Sequence, residues 1–102
     1  MASGRIEVLK QLLEQNPPST FARYGLALEY SKAGDLERAV ELFAGVVATD
    51  PGYSAAYFHG GQALEKLGRL EEARDLYRRG VAHTQDSHAR AELQAALDIL
   101  GD

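Results

Sequence analysis

The chain has 102 residues, of which 45% are hydrophobic and 25% are charged; this composition is typical of one small globular domain. The formal net charge of −4 at pH 7 argues against nucleic-acid binding, because that function normally requires a concentrated basic face. The absence of cysteine excludes a disulfide, a thiolate metal site and a cysteine nucleophile within this chain.

The N-terminal residues do not resemble a targeting segment. Glu7 and Lys10 interrupt the apolar residues there, whereas a secretory signal needs an unbroken apolar stretch. No run of about 18 apolar residues, the length that crosses a bilayer, occurs in the sequence. We therefore expect a cytoplasmic protein, or one domain of a longer one, with no membrane partner.

The spacing of the apolar residues predicts an all-α chain, because these residues recur every three to four positions. In the second helix, for example, Ala22, Leu26 and Tyr30 form one row. The pattern predicts no strand and no linker. The predicted helices span, in chain order, residues 4–15, 19–33, 36–48, 55–67, 70–83 and 87–100.

Capping and breaking residues set the boundaries of the first helices. Residues 17–18, both proline, separate the first two helices, and Ser19 or Thr20 is a suitable N-cap for the second. Gly34 ends that helix, because glycine takes the left-handed position after a helix without a Cβ clash. Asp35 is the expected N-cap of the third helix.

The same kinds of residue divide the second half of the chain. Asp50, Pro51 and Gly52 predict a turn after the third helix. Ser54 is the expected N-cap of the fourth helix, and Gly68 ends it. The sixth helix has one apolar and one polar face, which is typical of a helix that closes an open stack.

A repeat of 34 residues organises these helices. Residues 20–53 align with residues 54–87 without a gap. Residues 4–15 correspond to the second half of an earlier unit, and residues 88–100 form a capping helix. The nine identical pairs are Ala22/Ala56, Lys32/Lys66, Gly34/Gly68, Leu36/Leu70, Glu37/Glu71, Ala39/Ala73, Leu42/Leu76, Val47/Val81 and Ala48/Ala82.

The repeat resembles the tetratricopeptide repeat, in which small, aromatic and proline residues recur within a 34-residue helix pair. The resemblance implies a right-handed α-solenoid of antiparallel helix pairs and a non-catalytic role in binding proteins or peptides. The matching residues are Leu26, Ala27, Tyr30, Ala39, Phe43, Asp50 and Pro51 in the first unit, and Tyr57, Gly61, Ala73 and Tyr77 in the second.

Some positions depart from the family pattern. Gly60 stands where the family has leucine, Gln85 where it has a closing proline, and Arg5 where it has a small residue. A glycine inside a helix costs about 1 kcal/mol relative to alanine. We expect Gly61 to permit a close approach of two helices, and a neighbouring aromatic side chain such as Tyr30 to fill the space beside Gly60.

The resemblance also implies that the first helix of each pair lines a concave face. Phe21, Tyr24 and Leu28 agree with this assignment, because they lie at i, i+3 and i+7 on a stripe separate from the core row. The candidate partner-binding residues are Phe21, Tyr24, Leu28, Phe58, His59, Gln62 and Lys66, and the terminal helix adds Ala89, Glu92 and Ala96.

Three interpretations of this apolar surface are open. An exposed apolar patch favours binding of a protein or peptide segment with apolar side chains. In the second interpretation, the first and last helices fold over the patch and bury it. In the third, the role is structural, and the patch pairs with a copy of itself to form a homodimer.

The best-known ligand mode of the family is a carboxylate clamp, in which Lys, Arg and Asn residues grip the C-terminal carboxylates of chaperones. A receptor for chaperone tails is not expected here, because no side chain at the corresponding positions neutralises a carboxylate. Those positions are Tyr24, Leu28, His59, Ala89 and Leu93.

The sequence predicts no catalytic site, no metal site and no cofactor. His83 and His88 flank Asp86, but a solvated turn accounts for them better than a metal ion. Asp86, Ser87 and His88 are the residue types of a hydrolase triad, yet consecutive residues do not reach the required geometry. His59 has the chemistry to bond a ligand or to make binding sensitive to pH. The fifth helix carries a cluster of four arginines: Arg69, Arg74, Arg78 and Arg79. Asp75 is expected to pair with Arg78 and Arg79, and Glu71 with Arg74, on a solvated face. Contact with an anionic partner is the alternative.

Overall fold

The computed structural model describes residues 2–16 and 19–101, so prolines 17 and 18 lie outside the described residues. The described residues form six helices and no strand, which confirms the all-α prediction. Each predicted helix boundary lies within two residues of the observed one. The helices are α1 (Ala2–Gln15), α2 (Thr20–Lys32), α3 (Leu36–Thr49), α4 (Ser54–Lys66), α5 (Leu70–His83) and α6 (Ser87–Leu100).

The helices form a stack of antiparallel pairs. Short turns join α2 to α3 and α4 to α5, and the two helices of each pair pack along one another. The pairs follow one another, since α3 also packs on α4, and α5 on α6. α1 packs on α2, while α4 lies against both α2 and α6. The helices α2, α4 and α6 therefore share one face of a helical solenoid.

Glycines in the left-handed conformation end the first helix of each pair. Gly34 and Gly68 have φ angles of 86° and 78°, a region that residues with a Cβ rarely adopt. The next residue then donates its N–H back into the helix, from Asp35 to Tyr30 O and from Arg69 to Leu64 O, at 2.9 Å in both cases. These bonds satisfy helix carbonyls that would otherwise lack a donor, and they confirm the predicted role of both glycines.

Side-chain caps begin two of the helices as predicted. Ser19 Oγ accepts a hydrogen bond from the N–H of Ala22 at 3.1 Å, and Asp35 Oδ1 accepts one from the N–H of Arg38 at 3.4 Å. Each bond satisfies one of the free N–H groups at a helix start.

The prediction that Ser54 caps α4 is wrong. The N-cap residue is Tyr53, which makes no side-chain capping bond, and Ser54 is the first helical residue. The Ser54 hydroxyl instead lies 2.5 Å from the hydroxyl of Thr84, a residue that is buried at the end of α5. This hydrogen bond joins the start of α4 to the end of α5.

Glycine–aromatic contacts bring α4 and α5 close together. A Cβ atom built on Gly61 would lie 2.2 Å from Tyr77 Cε1, and one built on Gly80 would lie 2.8 Å from Tyr57 Cβ. Both distances are too short for real carbon contacts, so only a hydrogen fits at these positions. The expected close approach at Gly61 is therefore confirmed.

A neighbouring aromatic side chain lies beside Gly60, as expected, but it is Phe43 and not Tyr30. A Cβ at Gly60 would lie 2.8 Å from Leu76 Cδ2 and 3.1 Å from Phe43 Cβ. These two side chains come from α5 and α3, the helices on either side of α4. They occupy the volume of the leucine that the family has at this position.

Arg5 occupies a small-residue position because of its place at the end of the stack. The equivalent Ala39 and Ala73 are fully buried, whereas α1 packs on α2 alone among the described helices. The position is open at α1, and Arg5 Nε extends to within 3.1 Å of Glu29 Oε2 on α2. Glu29 also lies 3.5 Å from Lys32 Nζ, so this largely buried carboxylate is paired with positive charge.

We predict that Gly61→Ala lowers the free energy of unfolding by about 1–3 kcal/mol, the usual cost of overpacking a core. The added Cβ would overlap the Tyr77 ring, so the ring or the two helices must shift. Denaturant unfolding followed by circular dichroism measures the change. Gly4→Ala is the matched control, because a Cβ at Gly4 meets nothing within 4 Å. Equal destabilisation by both substitutions would contradict this interpretation.

Candidate functional site

A row of aromatic rings crosses the face formed by α2 and α4. Neighbouring ring centroids lie 5.0 Å apart for Tyr53 and Tyr24, 6.3 Å for Tyr24 and His59, 5.6 Å for His59 and Phe58, and 6.5 Å for Phe58 and Tyr77. These separations are in the range that favours contact between aromatic rings. We call these five residues the aromatic row.

The aromatic row lies directly over the hydrophobic core. The buried ring of Phe43, from α3, lies 6.0 Å from the Tyr24 ring and 6.5 Å from the His59 ring. Tyr24 and Phe58 are partly buried against this core and partly exposed. The row therefore presents apolar surface on rigid support, which suits a binding surface.

Burial keeps the polar groups of the aromatic row uncharged. It raises the pKa of the Tyr24 hydroxyl, and the neighbouring Tyr53 raises it further. Burial lowers the pKa of His59, against smaller opposing effects of a hydrogen bond with Gln62 and the charge of Glu92. At neutral pH the row therefore consists of neutral rings with hydrogen-bonding tips.

Two adjoining hollows extend from the aromatic row between α4 and α6, with volumes of about 390 and 450 Å³. They share Phe58 and Glu92, so they form one continuous depression. We call it the α4–α6 groove. The first hollow is lined by Phe58, Gln62, Glu65, Tyr77, Glu92, Ala95, Ala96 and Ile99. The second is lined by Ser54, Ala55, Phe58, His59, Asp86, Ala89, Glu92 and Leu93.

The structure brings four of the seven candidate residues together. Tyr24, Phe58 and His59 belong to the aromatic row, and Gln62 lies beside them in the α4–α6 groove. The three residues expected from α6, Ala89, Glu92 and Ala96, line the same groove.

The other three candidate residues neither belong to the aromatic row nor line the α4–α6 groove. Phe21 is 70% exposed and lines a separate hollow with Val8 and Leu12 of α1. Leu28 packs against the core and is partly exposed. Lys66 is exposed in the last turn of α4.

The terminal helices do not cover the aromatic surface in the way that the second interpretation of the sequence requires. α6 forms a wall of the α4–α6 groove and leaves Phe58 partly exposed. α1 packs on α2 and leaves Phe21 largely exposed. The surface therefore remains open along much of α2 and α4.

Some residues of the aromatic row and of the groove were not among the sequence candidates. Tyr53 lies in the turn before α4, and Tyr77 fits the core row of α5 as well as the groove. Ile99 is 84% exposed at the end of α6. The sequence signal for Ile99 is a large apolar residue that lies outside the apolar stripe of the predicted capping helix.

The remaining polar clusters form local contacts. His83 Nδ1 lies 2.9 Å from Arg79 O, and His88 Nε2 lies 3.8 Å from Glu92 Oε1. Within residues 2–16 and 19–101, no group of three His, Asp or Glu side chains is arranged to hold a metal ion. Ion pairs on the α5 surface join Arg69 to Glu72 and Glu37, Arg74 to Glu71, and Arg79 to Asp75. None of the described helices is long and apolar enough to span a membrane.

A stack of antiparallel helix pairs, with one face made by the first helix of each pair, defines an α-solenoid repeat protein. The family model of the tetratricopeptide repeat matches residues 30–97, about two thirds of the chain. The chain belongs to the tetratricopeptide repeat family.

Relatives and solved structures agree with this assignment. A TPR repeat-containing protein from Pseudomonas aeruginosa is 33% identical over 94 residues, which cover 92% of this chain and 89% of the relative. An uncharacterized protein from Methanocaldococcus jannaschii is 36% identical over 70 residues, or 69% of this chain and 81% of that protein.

A tetratricopeptide repeat domain protein from Salinibacter ruber has a similar structure. Its crystal structure has a TM-score of 0.73 and 35% identity, with 80% of this chain and 94% of that chain covered. A solution NMR structure from the same organism has a TM-score of 0.78 and 35% identity, with coverage of 84% and 90%.

We predict that the free energy of unfolding falls as the pH is lowered through the ordinary His pKa of about 6.5. Because burial lowers the pKa of His59 in the folded state, the unfolded chain binds a proton more readily at this pH. The contribution is fully present above the unfolded pKa and is lost below it. Urea unfolding across this range should show a steeper loss for the wild type than for His59→Gln. Identical pH profiles of the two proteins would rule out this contribution.

Proposed function

We propose that the protein is a non-catalytic module that binds a protein or peptide segment with apolar side chains in its concave face. Tetratricopeptide repeats generally mediate protein–protein interactions and generally have no catalytic activity. The observation that carries the proposal is the partly exposed aromatic row, which continues into the α4–α6 groove. Rigid aromatic side chains with polar tips are favoured anchors of interfaces.

The proposed contacts follow from the position of each side chain. Tyr24, Leu28 and Phe58 offer partly buried apolar surface to the partner. His59 and Gln62 offer polar groups beside it, in the walls of the α4–α6 groove. A partner that lay across α2 and in this groove would thus meet apolar contacts first and hydrogen bonds at the edges.

Phe21 and Lys66 would contact only a partner that extends beyond the groove. Phe21 lies toward α1, and Lys66 lies at the C-terminal end of α4. A segment that reached both would run across α2 and α4. These two residues are therefore the outer part of the proposed surface.

The chemistry of the groove disfavours a carboxylate tail as the partner. Tyr24, Leu28, His59, Ala89 and Leu93 occupy the positions that correspond to the clamp, and Leu93 is buried in the core. The groove walls supply no cationic side chain among the described lining residues. A carboxylate placed there would lose water without gaining an ion pair.

We predict that Tyr24→Ala combined with Phe58→Ala abolishes or strongly weakens partner capture, because both substitutions remove apolar anchor area. Quantitative affinity purification from a cell lysate, followed by mass spectrometry, compares the double variant with the wild type. Circular dichroism and thermal unfolding verify that both proteins are folded. Leu70→Ala, a change at an exposed apolar residue on α5, is the control and should retain the partner.

Retention of the same proteins by the folded double variant would show that the aromatic row does not form the interface. If Leu70→Ala also lost the same proteins, the capture would depend on non-specific binding to exposed apolar residues rather than on a specific site.

Homo-oligomerisation is the second candidate function. It is favoured by the apolar side chains exposed on the α1–α2 surface, namely Val8, Leu12 and Phe21, which line one hollow. Two copies joined there would bury each other's patch in a symmetric dimer. This would be a structural role and would leave the aromatic row unoccupied.

We expect the monomer mass at all concentrations in sedimentation equilibrium, since the peptide-binding proposal requires no second copy. A mass that rises with concentration in the wild type and stays monomeric in Phe21→Ser would instead establish the dimer and its location. Because Phe21 is 70% exposed, this substitution removes little from the core.

A further inference from the structure

We propose that the segment bound in the α4–α6 groove is basic as well as apolar: an apolar side chain seated against Phe58 and Ile99, flanked by lysine or arginine. This inference rests on the proposed function and adds the charge of the partner. It follows from the distribution of apolar and acidic residues along the groove walls.

The apolar part of the groove is one continuous surface. Phe58 lies where the two hollows meet, and Ala95, Ala96 and Ile99 form the wall opposite it in the first hollow. Ile99 is 84% exposed, the highest value among the exposed large hydrophobic residues. Small alanines leave room on the α6 side, so a side chain of the partner can occupy the space between the helices.

Carboxylates border this apolar surface along the length of the groove. Asp86 lies at the start of α6, Glu92 where the two hollows meet, and Glu65 at the far end beside Ile99. The described residues that line the two hollows include no lysine and no arginine. Along α6, a rise of about 1.5 Å per residue separates Asp86 and Glu92 by about 9 Å. The groove is therefore complementary to an extended segment with spaced positive charges.

These carboxylates retain acceptor oxygens for a partner. Asp86 uses Oδ1 to accept from the N–H groups of His88 and Ala89, and Glu65 uses Oε2 to accept from the Tyr77 hydroxyl. Glu92 is 57% exposed, and its contact at 3.8 Å is with His88, which pairs with it only when protonated. Charge-assisted hydrogen bonds from lysine or arginine would fit the free oxygens.

The same charges disfavour the other occupants of the groove. A C-terminal carboxylate or an acidic peptide would meet like charges from both walls. A second copy of this chain has a formal net charge of −4, so its approach to an acidic groove is opposed by repulsion. The apolar surface and the negative charge of the groove together favour a partner that is both apolar and basic.

A random-peptide display library, selected on the immobilised 102-residue chain, tests the charge of the partner. We expect the enriched peptides to combine an apolar residue with nearby lysine or arginine, and to elute as the salt concentration is raised. Enrichment of neutral or acidic peptides that depend on Phe58 would overturn the basic-partner inference and leave the proposed function in place. Enrichment that is the same on the wild type and on Phe58→Ala would overturn both.

Charge reversal at Glu92 tests whether the basic peptide binds in the α4–α6 groove. For the most enriched basic peptide, fluorescence anisotropy should show Glu92→Lys weakening binding about fivefold, the upper range for one exposed ion pair. Replacing the basic residues of the peptide with glutamate should restore binding to this variant. Glu14→Lys, at an exposed residue of α1, changes the net charge by the same amount and should leave the affinity unchanged. Equal losses in both variants would show that overall charge, not the groove, attracts the peptide.

Discussion

The close approach of α4 to α5 depends on glycines that leave no side chain between the two helices. Gly61 faces the ring of Tyr77, and Gly80 faces Tyr57, so each helix provides one glycine and receives one ring. This reciprocal contact sets the register of the pair, since any larger side chain would push the helices apart. Phe58 follows Tyr57 directly in α4, and the same contact therefore determines where the centre of the groove lies.

Tyr77 contacts both the hydrophobic core and Glu65, one of the carboxylates that line the groove. Its ring is fully buried and lies 6.5 Å from Phe58, and its hydroxyl donates a hydrogen bond to Glu65. A buried hydroxyl needs such a partner, and burial together with Glu65 raises the pKa of Tyr77 well above its usual value. The hydroxyl thus stays protonated and holds the Glu65 carboxylate at the groove wall. In the proposed binding mode, the packing of α5 and the acidic wall of the groove therefore depend on the same side chain.

Most of the fold and the centre of the candidate site could be predicted from the sequence, because both depend on local signals and on the 34-residue period. Gly34 ends its helix through its own backbone conformation, which needs no distant neighbour. Ser54 was misassigned because its partner, Thr84, lies 30 residues away. The α6 wall of the groove could be predicted only in part: the expected Ala89, Glu92 and Ala96 line it, whereas Ile99 lies outside the apolar stripe of that helix and is exposed.

Three sides of the sixth helix make different contacts. Leu93 and Leu97 are buried and attach the helix to α4 and α5. On its outer side, Arg90 donates to Thr84 O at 2.6 Å and Gln94 donates to Asp98 at 3.0 Å, so polar groups satisfied by their own neighbours close the stack. The remaining side carries the small, apolar and acidic residues of the groove. In the proposed binding mode, the exposed Ile99 on this side would contact the apolar side chain of the partner.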